Sequence, residues 1–140
     1  MRQPLVVCVA LLAFAAEAGA PPGRYTLEAE RVRDTTASLT WQRAASGPMA
    51  FSDAQAACAG ASPSGWRLPT IKELQTLVDY RAVPPAPAID AAAFPSTPGE
   101  AFWSSTPLLG SASTVWVVDF ATGVTATAAT SAMGRVRCVR

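Results

Sequence analysis

Histidine and asparagine are both missing from this chain. Without an imidazole there is no Ser-His-Asp constellation and no histidine-based zinc site. Charge is scarce too: charged residues make up 15%, and eleven basic against ten acidic side chains leave a net charge of +1. Such a balance gives no global attraction to nucleic acid or to a membrane surface. No glycine-rich phosphate loop is present. Calcium needs about six or more converging oxygens, whereas Asp90, Glu100 and Asp119 stand isolated in sequence. No metal and no cofactor is therefore expected. The one long apolar run, Leu5 to Ala16, is 12 residues, too short for a bilayer anchor of about 20.

What surrounds that run gives it a meaning. Arg2 precedes it, and small residues follow at Ala16, Ala18 and Ala20. This is the order of a secretory signal peptide, with Ala16-Glu17-Ala18 as the cleavage site. A buried N-terminal helix fits less well, because the run is apolar on every side. Residues 1–18 are read as the signal peptide, 19–30 as a lead-in and 31–140 as the folded domain. Cys8 lies inside the apolar run and leaves with it. The remaining roughly 120 residues suffice for one domain with one core. They are expected to be exported, periplasmic or extracellular, with no membrane insertion after cleavage.

Cys58 and Cys138 then remain. In an oxidising compartment an even pair is read as a disulfide. It would close a loop of about 80 residues, which the chain-entropy model values at about 4–5 kcal/mol before strain. Two free buried thiols are the alternative.

Arg31 to Gln42 reads as a hairpin of two short strands around a polar turn. A helix follows from about Phe51 to near Gly60, with Phe51, Ala54 and Cys58 on one face. Thr70 and Glu73 form a capping box for a second helix expected to run to about Tyr80, with Ile71, Leu74, Leu77 and Val78 on its apolar side. The five prolines between Ala82 and Gly99 predict an extended surface excursion, pinned by Ile89 and Phe94. Strands are expected at Phe102–Ser105, Val115–Phe120, Val124–Thr127 and Arg135–Val139, with a turn at Ala121–Gly123.

The segments Asp34-Thr35-Thr36, Leu39-Thr40-Trp41-Gln42-Arg43, Trp66-Arg67-Leu68-Pro69-Thr70-Ile71-Lys72-Glu73-Leu74, Phe102-Trp103-Ser104-Ser105-Thr106 and Arg137-Cys138-Val139-Arg140 resemble, in this order, the C-terminal domain family of the Legionella collagen-like adhesin. The likeness spans about residues 31–140. It implies an α+β, C-type-lectin-like fold: two helices flanking a small antiparallel sheet, with the N- and C-terminal strands adjacent. It also implies one long-range disulfide from the first helix to the last strand, the same Cys58–Cys138 pair. The family's adhesin attaches to sulfated polysaccharides through a protein with a collagen-like region, but no Gly-X-Y repeat occurs here. The calcium-dependent sugar sites of C-type lectins use asparagine-containing motifs that this chain cannot supply. The Arg-Leu-Pro-Thr element is similar to one in formylglycine-generating enzymes, whose chemistry needs a reactive cysteine pair.

Two sets of residues are candidates for binding. Arg31 and Arg33 alternate around Val32, and Arg135 and Arg137 around Val136, so each pair shares one strand face. If the first and last strands are neighbours, four guanidiniums would meet on one outer face suited to sulfate, phosphate or carboxylate. An ordinary solvated sheet face is the plainer reading. Tryptophans stack on sugars but more often fill cores; Trp41, Trp66 and Trp103 lie within the segments that carry the resemblance, which implies a structural role for them, and Trp116 is left undecided as a sugar-stacking candidate. The chain is thus expected to be a non-enzymatic recognition module for a glycan, including an anionic polysaccharide, or for an envelope protein. A structural or assembly role in the cell envelope is the alternative, and an enzyme of the formylglycine-generating type a remote third.

Overall fold

The computed structural model describes residues 19–140. The expected signal peptide and Cys8 lie outside the described residues. Ten elements follow in chain order: β1 (Tyr25–Leu27), β2 (Arg31–Asp34), β3 (Leu39–Gln42), β4 (Ser46–Met49), α1 (Phe51–Ala59), α2 (Ile71–Gln75), β5 (Ala101–Pro107), β6 (Thr114–Asp119), β7 (Val124–Ala129) and β8 (Gly134–Val136). They form an antiparallel three-stranded sheet, β1-β2-β3, and a five-stranded sheet ordered β4-β8-β5-β6-β7. The α+β class and the two helices agree with the sequence reading.

Period-two alternation explains how the larger sheet is buried on both faces. Phe102 and Val118 turn to one side, where they join Val32, Trp41, Leu74, Phe94 and Phe120. Trp103, Val115 and Val117 turn to the other, with Ala54, Cys58, Trp66 and Val136. Leu74 belongs to α2, and Ala54 and Cys58 to α1, so the helices cover opposite faces of the larger sheet. Cys58 bonds to Cys138 with their Cα atoms 5.5 Å apart, and both residues are buried. The disulfide expectation is met.

Two expectations need correction. The larger sheet is mixed, not antiparallel: β8 pairs β5 in parallel, through Phe102 and Arg135. Side-chain alternation reports faces but carries no information on strand direction. Within residues 19–30, β1 pairs β2 from Tyr25–Asp34 to Leu27–Val32. The second helix stops at Gln75, five residues short of expectation. There the bonds tighten to a three-residue spacing, Leu77 N–H to Leu74 and Val78 N–H to Gln75. Val78 then bridges Ile89, and Asp79 N–H donates to the Ala88 carbonyl at 2.9 Å. Pairing with the proline-rich segment therefore outcompetes another helical turn.

The chain terminus completes the frame. Thr40 and Arg140 exchange backbone hydrogen bonds at 2.8 and 2.9 Å, and Gln42 N–H donates to the Cys138 carbonyl at 3.0 Å. On the other side, Arg67 and Val139 exchange a pair at 2.9 Å each. The neighbour of the C-terminal residues is thus β3, not the preceding strand that carries Arg31 and Arg33.

Candidate functional site

That difference of one strand dismantles the four-arginine face. Arg31 and Arg33 lie on β2, the middle strand of the smaller sheet, whereas β8 lies between β4 and β5 in the larger one. Arg31 pairs with Glu28 at 3.0 Å across half-exposed side chains, and Arg33 is exposed. Arg135 forks onto Glu100 at 2.8 and 3.1 Å and donates its third nitrogen to the Gly47 carbonyl. This guanidinium holds the Glu100 carboxyl below the usual range.

Arg137 is no surface residue at all. It is 1% exposed, donating to the Gln42 and Arg43 carbonyls and, at 2.7 Å, to Thr97 Oγ1. Its guanidinium lies over the Phe94 ring, 4.6 Å from the centroid, and 5.8 Å from that of Phe102. No carboxylate forms an ion pair with it among the described residues. Burial pushes its pKa down to about 10, so it is still a cation at neutral pH. It holds the end of β3 to the proline-rich segment by carbonyl dipoles and aromatic faces.

The tryptophans divide as expected on burial. Trp41, Trp66 and Trp103 are buried, and Trp103 Nε1 donates to the Met49 carbonyl at 2.8 Å. Trp116 is half-buried on β6 opposite Thr127, and its carbonyl accepts from Ser104 Oγ.

A different place on the surface is concave. Glu30 and Arg31 at the start of β2, Gln42 at the end of β3, Ser46 at the start of β4, and Ser62, Pro63 and Trp66 from the loop after α1 enclose a cleft of about 700 Å³. Gln42 Oε1 accepts the Cys138 N–H at 3.3 Å, which orients its amide beside the disulfide. The Arg140 guanidinium stacks 4.8 Å from the Trp66 ring centroid, and the buried Trp66 Nε1 has no hydrogen-bond partner among the described residues. A smaller hollow of about 320 Å³ adjoins it across Glu30 and Ala44 and reaches Arg43, Pro95 and Ser96.

Charged and polar hydrogen-bonding groups around a tryptophan and a proline suit a polar ligand with an apolar face. Of the residues singled out from sequence, Arg31 lines this cleft; Arg33, Arg135, Arg137 and Trp116 do not. Glu30, Gln42, Ser46 and Ser62 were missed. The hairpin end and the end of the first helix near Gly60 were both legible, but nothing in their residue types says that the two meet.

Among the described residues no three His, Cys, Asp or Glu side chains converge as a metal site. Asp90, Glu100 and Asp119 have local duties instead. Asp90 accepts from Ala92 and Ala93 N–H, Asp119 from Ala121 N–H, and Glu100 from Arg135. No helix among these residues is long and apolar enough to cross a membrane.

Two comparisons bear on identity. A family model described as the Lcl C-terminal domain matches residues 30–140, most of the chain. A search of curated proteins finds no match.

Proposed function

The chain belongs to the Lcl C-terminal domain family, and from that premise we propose that it is an exported, non-enzymatic recognition module. Its ligand is an extracellular or envelope glycan, with an anionic polysaccharide as the first class to test. The observation that carries this reading is the cleft between the β2–β3 hairpin and the loop after α1. There the fork of Arg31 and the amide of Gln42 stand beside the Trp66 indole. Planar donors grip sulfate or carboxylate, while the Trp66 indole, buried and stacked under Arg140, forms part of the cleft wall. The buried disulfide supports an oxidising compartment. A C-type-lectin-like arrangement is supported by the covalent tie from α1 to the chain end. It is also supported by the pairing of β3 with residues 138–140. Thiolate chemistry of the formylglycine-generating kind lacks support, because Cys58 and Cys138 are bonded to each other.

The test is retention on heparin and binding to a glycan array, comparing the wild type with Arg31→Ser and Gln42→Ala. Saturable binding to a defined sugar class, weakened about 5-fold or more by either change, is the expected result; each lost charge-assisted bond contributes about 1.5–3 kcal/mol. Binding that persists unchanged in both variants would remove the cleft from the argument.

One observation favours the alternative of an envelope assembly protein. Among the described residues β7 is an edge strand, and no charged residue occurs from Phe120 to Gly134. Edges of soluble proteins usually carry a charge or a proline that blocks pairing with another chain. A blank glycan array together with stoichiometric co-purification of an envelope protein, abolished by Thr127→Lys, would favour this reading.

A further inference from the structure

The residues that follow the expected cleavage site are gripped by two carboxylates from elsewhere in the chain. Gly19 N–H donates to Asp79 Oδ2 at 2.5 Å, and Ala20 N–H donates to Asp90 Oδ2 at 2.6 Å. Both aspartates already serve their own loops through Oδ1. Asp79 Oδ1 accepts from Arg81 N and Nε at 2.9 and 3.2 Å, and Asp90 Oδ1 from Ala92 and Ala93 N–H at 2.9 Å each. The Oδ2 atoms are left facing residues 19 and 20. Gly19 has φ +141°, and a Cβ there would come within 3.4 Å of Asp90 Oδ2.

The charge of this seat is out of balance. Two carboxylates meet two neutral backbone amides, and the one cation paired with either is Arg81, on Asp79. Asp90 has no ion-pair partner among the described residues. Arg24, also within electrostatic reach, is committed to Asp34 at 2.8 Å, and the Tyr25 hydroxyl, its pKa raised by burial, is neutral. The seat therefore lacks one positive charge. Cleavage after Ala18 would supply it, by turning the Gly19 amide nitrogen into an α-ammonium.

We infer that Asp79 and Asp90 form a docking site for the α-amino group that signal-peptide cleavage creates at Gly19. Hydrolysis of the Ala18–Gly19 bond adds one water, leaving a carboxylate on the departing peptide and an ammonium on the mature chain. The ammonium takes the place of a neutral donor at Asp79 and stands beside Asp90. Its docking fastens the new N-terminus to Asp79, just ahead of the proline-rich segment, and to Asp90 in the middle of it, so processing completes the fold. This rests on the export reading and not on the sugar-binding cleft.

The sign of the pH dependence follows. A free α-amino group titrates at about 7.7–8.0, and two carboxylates raise that value in the folded state. The added stability is fully present below the unfolded value and is lost as pH rises through the raised one.

The experiment compares the chain beginning at Gly19 with a free amine against the same chain Nα-acetylated, by thermal unfolding from pH 6 to pH 10. The free amine should melt about 3–6 °C higher at pH 6.5, the gap closing toward pH 10. It should also shrink by at least half in Asp79→Asn and Asp90→Asn backgrounds. The acetylated comparison alters no side chain, so a variant that fails to fold leaves the test intact. Equal melting of the two forms, or a gap indifferent to pH, overturns the docking site. N-terminal sequencing of the exported protein tests the processing separately: Gly19 at the first cycle supports the inference, and any other residue overturns it.

Discussion

Arg137 presents its guanidinium to the ring of Phe94 with 4.6 Å between the guanidinium carbon and the ring centroid. A cation thereby sits inside the core, on the proline-rich segment rather than in water. The segment from Ala82 to Gly99 is held as part of the body by this contact, by Ile89 and by Thr97, all buried. Because this segment contains Asp90 and pairs with Asp79 through Ala88, one residue near the C-terminus helps to order the carboxylates that hold Gly19 and Ala20.

Replacing Arg137 by Met should expose what this costs and supports. The change removes the donors to the Gln42 and Arg43 carbonyls and to Thr97 Oγ1, leaving buried acceptors unpaired, while the aliphatic stem still packs. A loss of about 2–4 kcal/mol is expected, read from urea unfolding. Heparin retention should not follow Arg137, because its charge does not reach the surface. A stability change below about 0.5 kcal/mol would show that the apolar contacts alone hold the segment.

The covalent tie makes a second, larger claim. Reduction, or Cys58→Ser with Cys138→Ser, should cost about 3–5 kcal/mol, measured by chemical denaturation with and without reductant. Alkylation before reduction should label neither sulfur. Label appearing on both in the oxidised native protein would contradict the bond.

The parts of this architecture that sequence could express were local ones. Thr70 and Glu73 announce a cap at three residues' distance, and the structure has the complete capping box, with Glu73 N–H on Thr70 Oγ1 and Thr70 N–H on Glu73 Oε2. Ala54 and Cys58 share a face because helical geometry requires it. Arg137 was illegible: in sequence it alternates with Arg135 like any solvated pair, and its burial depends on the 93–97 segment folding over it. The cleft was illegible for the same reason, since Gln42 and Trp66 are brought together by strands whose partners and directions the side-chain pattern does not encode.

The cap also gives a pH prediction. Arg67 forks onto Glu73 at 2.8 Å for each contact, and this pair, with the Thr70 backbone bond, holds the Glu73 carboxyl below the usual range. A carboxyl lowered in the folded state stabilises above its unfolded pKa of about 4.3. That contribution disappears as pH falls through the folded value. Thr70→Ala should cost about 1 kcal/mol at neutral pH. Glu73→Gln should flatten the acid limb of the stability curve. An unchanged acid limb in Glu73→Gln would assign acid sensitivity elsewhere.

Gly134 carries the sharpest steric prediction. It opens β8 where the strand crosses the indole of Trp103, and a Cβ there would lie 2.9 Å from both Cε2 and Nε1 of that ring. The ring is 1% exposed and fixed at two points, by its Nε1 bond to the Met49 carbonyl and by edge contact with Phe51 at 5.6 Å between centroids. It has no room to retreat, because Ala54, Cys58 and Val136 pack in the same cluster. Gly134→Ala should therefore shift β8 or break the indole bond. Overpacking costs about 1–3 kcal/mol and an orphaned buried carbonyl about 1–3 more. Unfolding monitored by tryptophan fluorescence should show both the lower midpoint and an altered native emission. Gly134→Ala in a Trp103→Phe background should recover part of the loss, since the smaller ring makes room for the methyl group. If the double variant is no more stable than the sum of the two single changes predicts, the clash with Trp103 is not the cause.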